Sequence, residues 1–237
     1  MLTSKGKIIV IPCTLGEESN HKLFPIYNFN LILKLTHFVV ENEKTARKFI
    51  KSLLPEKSQQ ELTIFTFDKH NNHSVSNEII NLLLKGIDFG IISEAGMPGI
   101  ADPGSSLIIE AHKNNIKIET LIGPSSIFLA LVSSGLNGQK FMFHGYLPKD
   151  KIELKKEIAS IQNLSLKDKS AHIFMETPYR NNQLLDNVLA LCNSSFLLCI
   201  ACEITLENEF IKTQSINDWK KNKPDLNKKP TIFILQA

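Results

Sequence analysis

The chain has no apolar run that approaches the length of a bilayer crossing; its apolar stretches come in pieces of about five to eight residues. The opening residues, Met1-Leu2-Thr3-Ser4-Lys5-Gly6-Lys7, lead into a short strand pattern without the apolar core of a signal peptide. Those two absences lead us to expect a cytoplasmic protein. Net charge is only +3, so the total carries no strong attraction to a polyanion. Arginine is scarce: among 27 basic residues only Arg47 and Arg180 carry the fixed guanidinium fork. Lysines cluster at Lys149, Lys151, Lys155 and Lys156, and again at Lys220, Lys221, Lys223, Lys228 and Lys229. Such runs read first as solvated surface and second as phosphate contacts.

Four cysteines are too few and too apolar in context for a disulfide framework. Cys199-Ile200-Ala201-Cys202 has CxxC spacing, but strand alternation places its sulfurs on opposite faces, and no second pair supplies further metal ligands. No metal is expected. GxGxxG after the first strand, GxxxxGK[ST], HExxH and GxSxG are all missing. A Rossmann dinucleotide site, a P-loop, a zincin and a nucleophile elbow are thereby unsupported. The seven histidines are scattered, and His70-Asn71-Asn72-His73 reads as a polar loop.

What is present is alternation. Strand-like runs at residues 7–12, 36–41, 62–67, 88–93 and 116–122 are separated by helix-like stretches at 43–54, 74–84 and 105–114. This rhythm predicts a mostly parallel sheet covered on both faces. After Gly123 the rhythm changes. Helices are expected at 125–134, 151–161 and 179–192, and strands at 171–176, 196–204, 209–213 and 231–235. With one clear helix among the last four strands, some pairs must be antiparallel, so a second, mixed-sheet domain is expected. Residues 218–229, rich in lysine and holding Pro224, read as a mobile loop.

Four loops follow strand candidates at their carboxyl ends, where open α/β sheets hold ligands. They are Pro12-Cys13-Thr14-Leu15-Gly16-Glu17; residues 93–104, Ser-Glu-Ala-Gly-Met-Pro-Gly-Ile-Ala-Asp-Pro-Gly; Gly123-Pro124-Ser125-Ser126; and Met175-Glu176-Thr177-Pro178-Tyr179-Arg180. Three glycines and two prolines in the second fix an unusual path and leave backbone amides uncovered.

In order and spacing, these loops resemble the tetrapyrrole-methylase-like (class III) S-adenosylmethionine-dependent methyltransferases, nearest the branch that methylates a cytidine 2′-O in small-subunit ribosomal RNA. The series continues through Ser133-Ser134-Gly135-Leu136 and Phe141-Met142-Phe143-His144-Gly145-Tyr146-Leu147-Pro148. Departures fall at the first loop, at Glu41-Asn42-Glu43-Lys44 in place of Glu-Asp-Thr-Arg, at Glu94 for Asp and at Met97 for Thr. They read as those of a divergent paralogue.

The resemblance implies two α/β domains, residues 1–120 with a mostly parallel sheet and 121–237 with a mixed one, and a cofactor cleft between them. It implies that Thr14, Ser93, Ala95, Gly96, Pro98, Ala101, Asp102, Ser125 and Ser126 hold S-adenosylmethionine, with Met175 and Pro230-Thr231-Ile232 completing the adenine pocket. Glu41 and Glu176 are the candidate catalytic carboxylates, each equally readable as a structural acid pairing with Arg180. Asp102 is read evenly as a turn-former or a ligand contact. Phe141, Phe143 and Tyr146 are expected first in the core and second as substrate contacts, and His144 as a surface polar residue. The implied partners are ribosomal RNA and a second copy of the chain in a homodimer, with no membrane. A tetrapyrrole or other small-molecule acceptor, and a non-catalytic donor- or RNA-binding module, stay open as alternatives.

Overall fold

The computed structural model describes residues 4–16, 23–67, 72–102 and 104–237, and only the backbone of 72–74. Glu17, Pro103, His70, Asn71, residues 1–3 and the side chain of His73 lie outside that description. Contacts divide the chain into two compact units, Met1–Ser125 and Ser126–Ala237.

The first unit alternates strand and helix: β1 (Lys7–Ile11), α1 (Ile26–Lys34), β2 (His37–Val40), α2 (Glu43–Leu53), β3 (Thr63–Thr66), α3 (Asn72–Leu84), β4 (Phe89–Ile92), α4 (Gly104–Lys113) and β5 (Lys117–Thr120). All five strands are parallel, in the order β3-β2-β4-β1-β5. Alternation on β1 sends Ile9 and Ile11 into one apolar layer with Ile32, Phe38 and Ile50. Ile8 and Val10 enter the opposite layer with Ile79, Leu83 and Leu107. A sheet covered on both faces reads as continuous apolar strands, as Ile8-Ile9-Val10-Ile11 does.

Helix α1 escaped the sequence pattern. Two aromatics, two β-branched residues and two asparagines among its nine residues give it a weak helix propensity, no side chain caps it, and Ile26 and Leu33 stand exposed. It is held by Asn28 and Ile32, one turn apart and both buried, with Asn28 Nδ2 donating to the Ile122 carbonyl at 2.8 Å. Helix α2 is better signposted. Asn42 Oδ1 accepts from the Lys44 and Thr45 amides, so Asn in place of Asp preserves the cap.

The second unit contains α5 (Ser126–Ser134), β6 (Phe141–Tyr146), α6 (Lys151–Asp168), β7 (Ala171–Met175), a 3₁₀ turn (Pro178–Arg180), α7 (Asn181–Leu191), β8 (Leu197–Cys202), β9 (Phe210–Ser215), α8 (Ile216–Lys221) and β10 (Thr231–Gln236). The strand order is β6-β7-β10-β8-β9; only β6 and β7 run parallel. The mixed sheet is as expected. Leu198, Ile200 and Cys202 join the core with Trp219, Phe233 and the α6 and α7 side chains. Cys199 points to the other face, so the two sulfurs of the CxxC do lie apart.

The structure departs from expectation at four places. Residues 218–229 are not a mobile loop: α8 occupies their start, Trp219 is buried with Nε1 donating to the Leu198 carbonyl, and Leu226 is buried too. Lysines masked an apolar anchor at wide spacing. Phe141 and Tyr146 are exposed rather than core, because β6 is an edge strand interrupted by a bulge at Gly145, whose φ is 67°. His144 is not a surface residue: its side chain is 9% exposed and its Nε2 lies 2.8 Å from His172 Nδ1. Helix α6 also runs to Asp168, beyond the expected residue 161.

Candidate active site

Strands β1 and β4 are neighbours, yet β1 leads away toward β2 and β4 leads the other way toward β5. Their carboxyl ends therefore frame a topological switch point, the place where an open α/β sheet offers a crevice. The Cys13 amide donates to the Gly96 carbonyl at 2.8 Å, joining the first and second loops across it. Gly96 has φ 67°, and a Cβ there would stand 3.1 Å from Leu15 Cδ2 and 3.6 Å from the Pro124 carbonyl oxygen. Gly123 is packed harder still: a Cβ would fall 2.2 Å from Pro12 Cγ. Three loops far apart in sequence thus meet closely at positions without side chains.

Asp102 sets the shape of the second loop. Its Oδ2 accepts from the Gly99 amide at 2.6 Å and its Oδ1 from the Gly104 amide at 2.7 Å. Gly99 (φ 87°) and Ala101 (φ 61°) take the left-handed conformations this turn needs. Of the two readings weighed for Asp102, the turn-forming one occupies both oxygens. Ser93 and Pro98 are buried beneath the loop, while Ala95 and Ala101 face outward.

A cavity of about 320 Å³ opens between the first two loops and α2, lined by Thr14, Leu15, Ser93, Glu94, Ala95, Thr45, Lys48 and Phe49 among others. Two carboxylates border this region. Glu41, at the end of β2, accepts the Glu94 amide on Oε1 at 3.3 Å. Glu94 Oε1 accepts the Thr45 hydroxyl at 2.6 Å. Burial, reinforced by the charges of Glu94 and Glu41, pushes the Cys13 thiol far up, so it is held as an inert thiol.

In the second unit the antiparallel register pairs Met175 with Ile232, bringing together residues that lie far apart in sequence. Thr231 and Ile232 are buried, Pro230 is exposed, and the Pro230 carbonyl accepts the Glu203 amide. Glu176 follows β7 and is buried. Its Oε1 accepts the Thr177 amide at 2.7 Å, and its Oε2 lies 3.1 Å from Arg180 Nη2. Both oxygens serve this turn. Asn181, fully buried, donates Nδ2 to the Lys229 carbonyl at 2.6 Å and leaves Oδ1 without a partner. Together with the Lys228 amide on the Pro178 carbonyl, that bond ties the fourth loop to the segment before β10.

The predicted residues therefore gather in two groups. Thr14, Glu41, Ser93, Ala95, Gly96, Pro98, Ala101 and Asp102 stand at the switch point of the first unit. Met175, Glu176, Pro230, Thr231 and Ile232 stand at the β7–β10 edge of the second. Ser125 closes the first unit and Ser126 opens α5. Sequence reasoning missed Thr45, Lys48 and Asn181. Thr45 sits one turn into α2 beyond a recognisable cap, which is signal enough to find it; a lone Asn at a helix start gives none. Arg47 pairs with Glu43 at 2.7 Å and donates to the Gln59 carbonyl, a structural tie.

Comparison with known proteins matches residues 29–218 to the family Tetrapyrrole (Corrin/Porphyrin) Methylases. The chain is 29% identical over 226 residues to Ribosomal RNA small subunit methyltransferase I of Thermotoga maritima, covering 92% of this chain and 94% of that one. The protein of the same name from Buchnera aphidicola subsp. Schizaphis graminum is 34% identical over 256 residues, covering 99% and 79%. Among solved structures, the methyltransferase CobJ aligns with TM-score 0.64 at 18% identity over 98% of this chain and 94% of its own. Diphthine synthase aligns with TM-score 0.69 at 12% identity over 98% and 90%. Those two likenesses speak for the fold.

Proposed function

The chain belongs to the tetrapyrrole (corrin/porphyrin) methylase family of S-adenosylmethionine-dependent methyltransferases, and from that premise we propose that it methylates a cytidine ribose 2′-oxygen in small-subunit ribosomal RNA. Small-subunit ribosomal RNA as acceptor is supported by the names of its relatives, and the cytidine 2′-oxygen by the resemblance of its loops. The observation that carries the donor site is the meeting of three loops at Gly96, with a cavity of about 320 Å³ beside it. That volume lies at the lower end of ordinary ligand clefts.

The residues fit the donor. Bound there, S-adenosylmethionine would supply an electrophilic sulfonium methyl, so the chemistry is largely the cofactor's own. Thr14, Ser93, Ala95 and Gly96 would hold it through backbone groups, with the left-handed Gly96 letting the chain come close without a side chain. The protein's part is to align the acceptor oxygen and exclude water, which is where most of the rate arises. Assembly as a homodimer belongs to the same proposal, supported by exposed Phe128 and Val132 one turn apart on α5.

Titration calorimetry with S-adenosylmethionine, followed by labelled methyl transfer to undermethylated 30S particles and to tetrapyrrole precursors, tests this reading. Donor binding with label in the RNA is expected. No binding at millimolar donor overturns the methyltransferase reading; label only in the tetrapyrrole overturns the acceptor.

A further inference from the structure

The acidic side chains Glu41, Glu94 and Glu176 are not equivalent. Glu176 spends one oxygen on the Thr177 amide and the other on Arg180. Glu41 Oε1 receives the Glu94 amide. Glu94 is held by a hydroxyl: its Oε1 receives the Thr45 hydroxyl at 2.6 Å, and no described residue donates to its Oε2. It also lines the cavity of the switch point and is solvent-exposed, so an acceptor can reach it. We propose that Glu94 is the general base of methyl transfer, taking the proton of the acceptor hydroxyl on its open oxygen, and that Thr45 is a positioning residue that fixes the carboxylate.

The inference rests on the RNA reading above, because only a weak acid such as a ribose hydroxyl needs a base. As the hydroxyl oxygen forms its bond to the methyl carbon, the carbon–sulfur bond breaks, its electron pair staying with sulfur, and the proton passes to Glu94. Atoms and charge balance without a further reactant. The single Thr45 hydroxyl proton has two acceptors in reach, the Asn42 carbonyl at 3.1 Å and Glu94 Oε1 at 2.6 Å; the shorter, charge-assisted bond holds that carboxylate oxygen and leaves the other to the substrate. The extra methylene of Glu over Asp lengthens the reach of this side chain into the cavity, and Thr45 removes the freedom that methylene adds. Three groups around Glu94 also carry charge or titrate: Glu41 across the second loop, Cys13 below, and Lys48 of α2 on the same cavity.

The test uses the full chain and its Glu94→Gln, Glu94→Asp, Thr45→Val and Thr45→Ser variants. Donor affinity is read by calorimetry, 30S affinity by filter binding, and single-turnover methyl transfer is followed against pH. For Glu94→Gln we expect both affinities within about threefold of wild type, with transfer slowed about 100-fold or more and its acidic limb flattened, as loss of a general base requires. Thr45→Val should slow transfer about 10-fold and move the acidic limb, with Thr45→Ser restoring both. Transfer by Glu94→Gln within about threefold of wild type overturns the proposal, and so does a loss of rate matched by a loss of donor affinity. A wild-type protein that binds donor but methylates no 30S particle overturns the RNA reading, and the proposal with it.

Discussion

The Cys13 amide and the Gly96 carbonyl, 2.8 Å apart, bridge the carboxyl ends of β1 and β4, two strands whose connections leave in opposite directions. The bond pins the second loop at the residue where its backbone turns left-handed. Gly96→Val should therefore cost about 1–2 kcal/mol for the left-handed conformation alone. It also brings a branched side chain against Leu15, 3.1 Å from the new Cβ. We expect a folded protein with a lowered melting temperature and donor affinity reduced at least tenfold. Calorimetry on the folded variant reads it, and unchanged affinity would remove the donor from this crevice.

Asp102 holds the same loop from inside. An Asn at this position retains one acceptor oxygen but turns the other into a donor facing an amide, so one charge-assisted bond is lost and replaced by an N–H/N–H clash. Asp102→Asn should lose about 1.5–3 kcal/mol, the range for hydrogen bonds to a charged partner. Urea unfolding measures this. A loss below about 0.5 kcal/mol would mean that the glycines carry the turn without it.

Much of this was written in the chain, and the gaps have physical causes. Uninterrupted apolar strands such as Ile8-Ile9-Val10-Ile11 can only be buried on both faces, and Asn42 and Asp150 cap helices where residues of their type are expected. The four loops were recognisable because glycine and proline restrict the backbone locally. By contrast, α1 is stabilised by a tertiary bond from Asn28 to Ile122, which no local pattern contains. Strand β6 alternates no more clearly than a loop, since both its bulge and its edge position expose aromatics. The Glu94–Thr45 contact joins the loop after β4 to the first turn of α2 and depends on the sheet order β2-β4, which sequence alone does not provide.

Glu176 and Arg180 make a partly buried pair, the carboxylate enclosed and the guanidinium about a third open to water. Removing the cation leaves an enclosed charge with one amide donor. Arg180→Ala should destabilise by about 1–3 kcal/mol, below the range for fully buried pairs because solvent reaches the arginine. Arg180→Lys should recover part of that. If Arg180 instead serves RNA, the alanine variant will keep its unfolding midpoint and lose 30S affinity with a reduced salt slope. Urea titration and salt-dependent binding separate these two outcomes.

The His144–His172 array has a direction that predicts its response to acid. Ser170 Oγ donates to Asp168 Oδ1 at 2.6 Å, so its bond with His172 Nε2 at 2.9 Å must run from the ring to the hydroxyl. His172 Nδ1 is then the acceptor for His144 Nε2–H at 2.8 Å, leaving His144 Nδ1 as the site of proton uptake, 3.4 Å from Glu157. Burial lowers the pKa of His144 against a weaker opposing pull from Glu157, and burial followed by the His144 charge lowers that of His172. Both folded values thus lie below the ordinary 6.5 of the unfolded chain. The unfolded state binds more protons in that window, so stability is full above 6.5 and falls as pH drops below it, by at most about 1.4 kcal/mol per pH unit for each ring. Burial lowers His37 as well, which adds to the same slope. Replacing His144 by Asn should flatten the pH dependence of the urea midpoint relative to wild type, by up to one proton's worth. An unchanged slope would show that His144 takes up its proton equally in the folded and unfolded chain, with Glu157 cancelling the cost of burial.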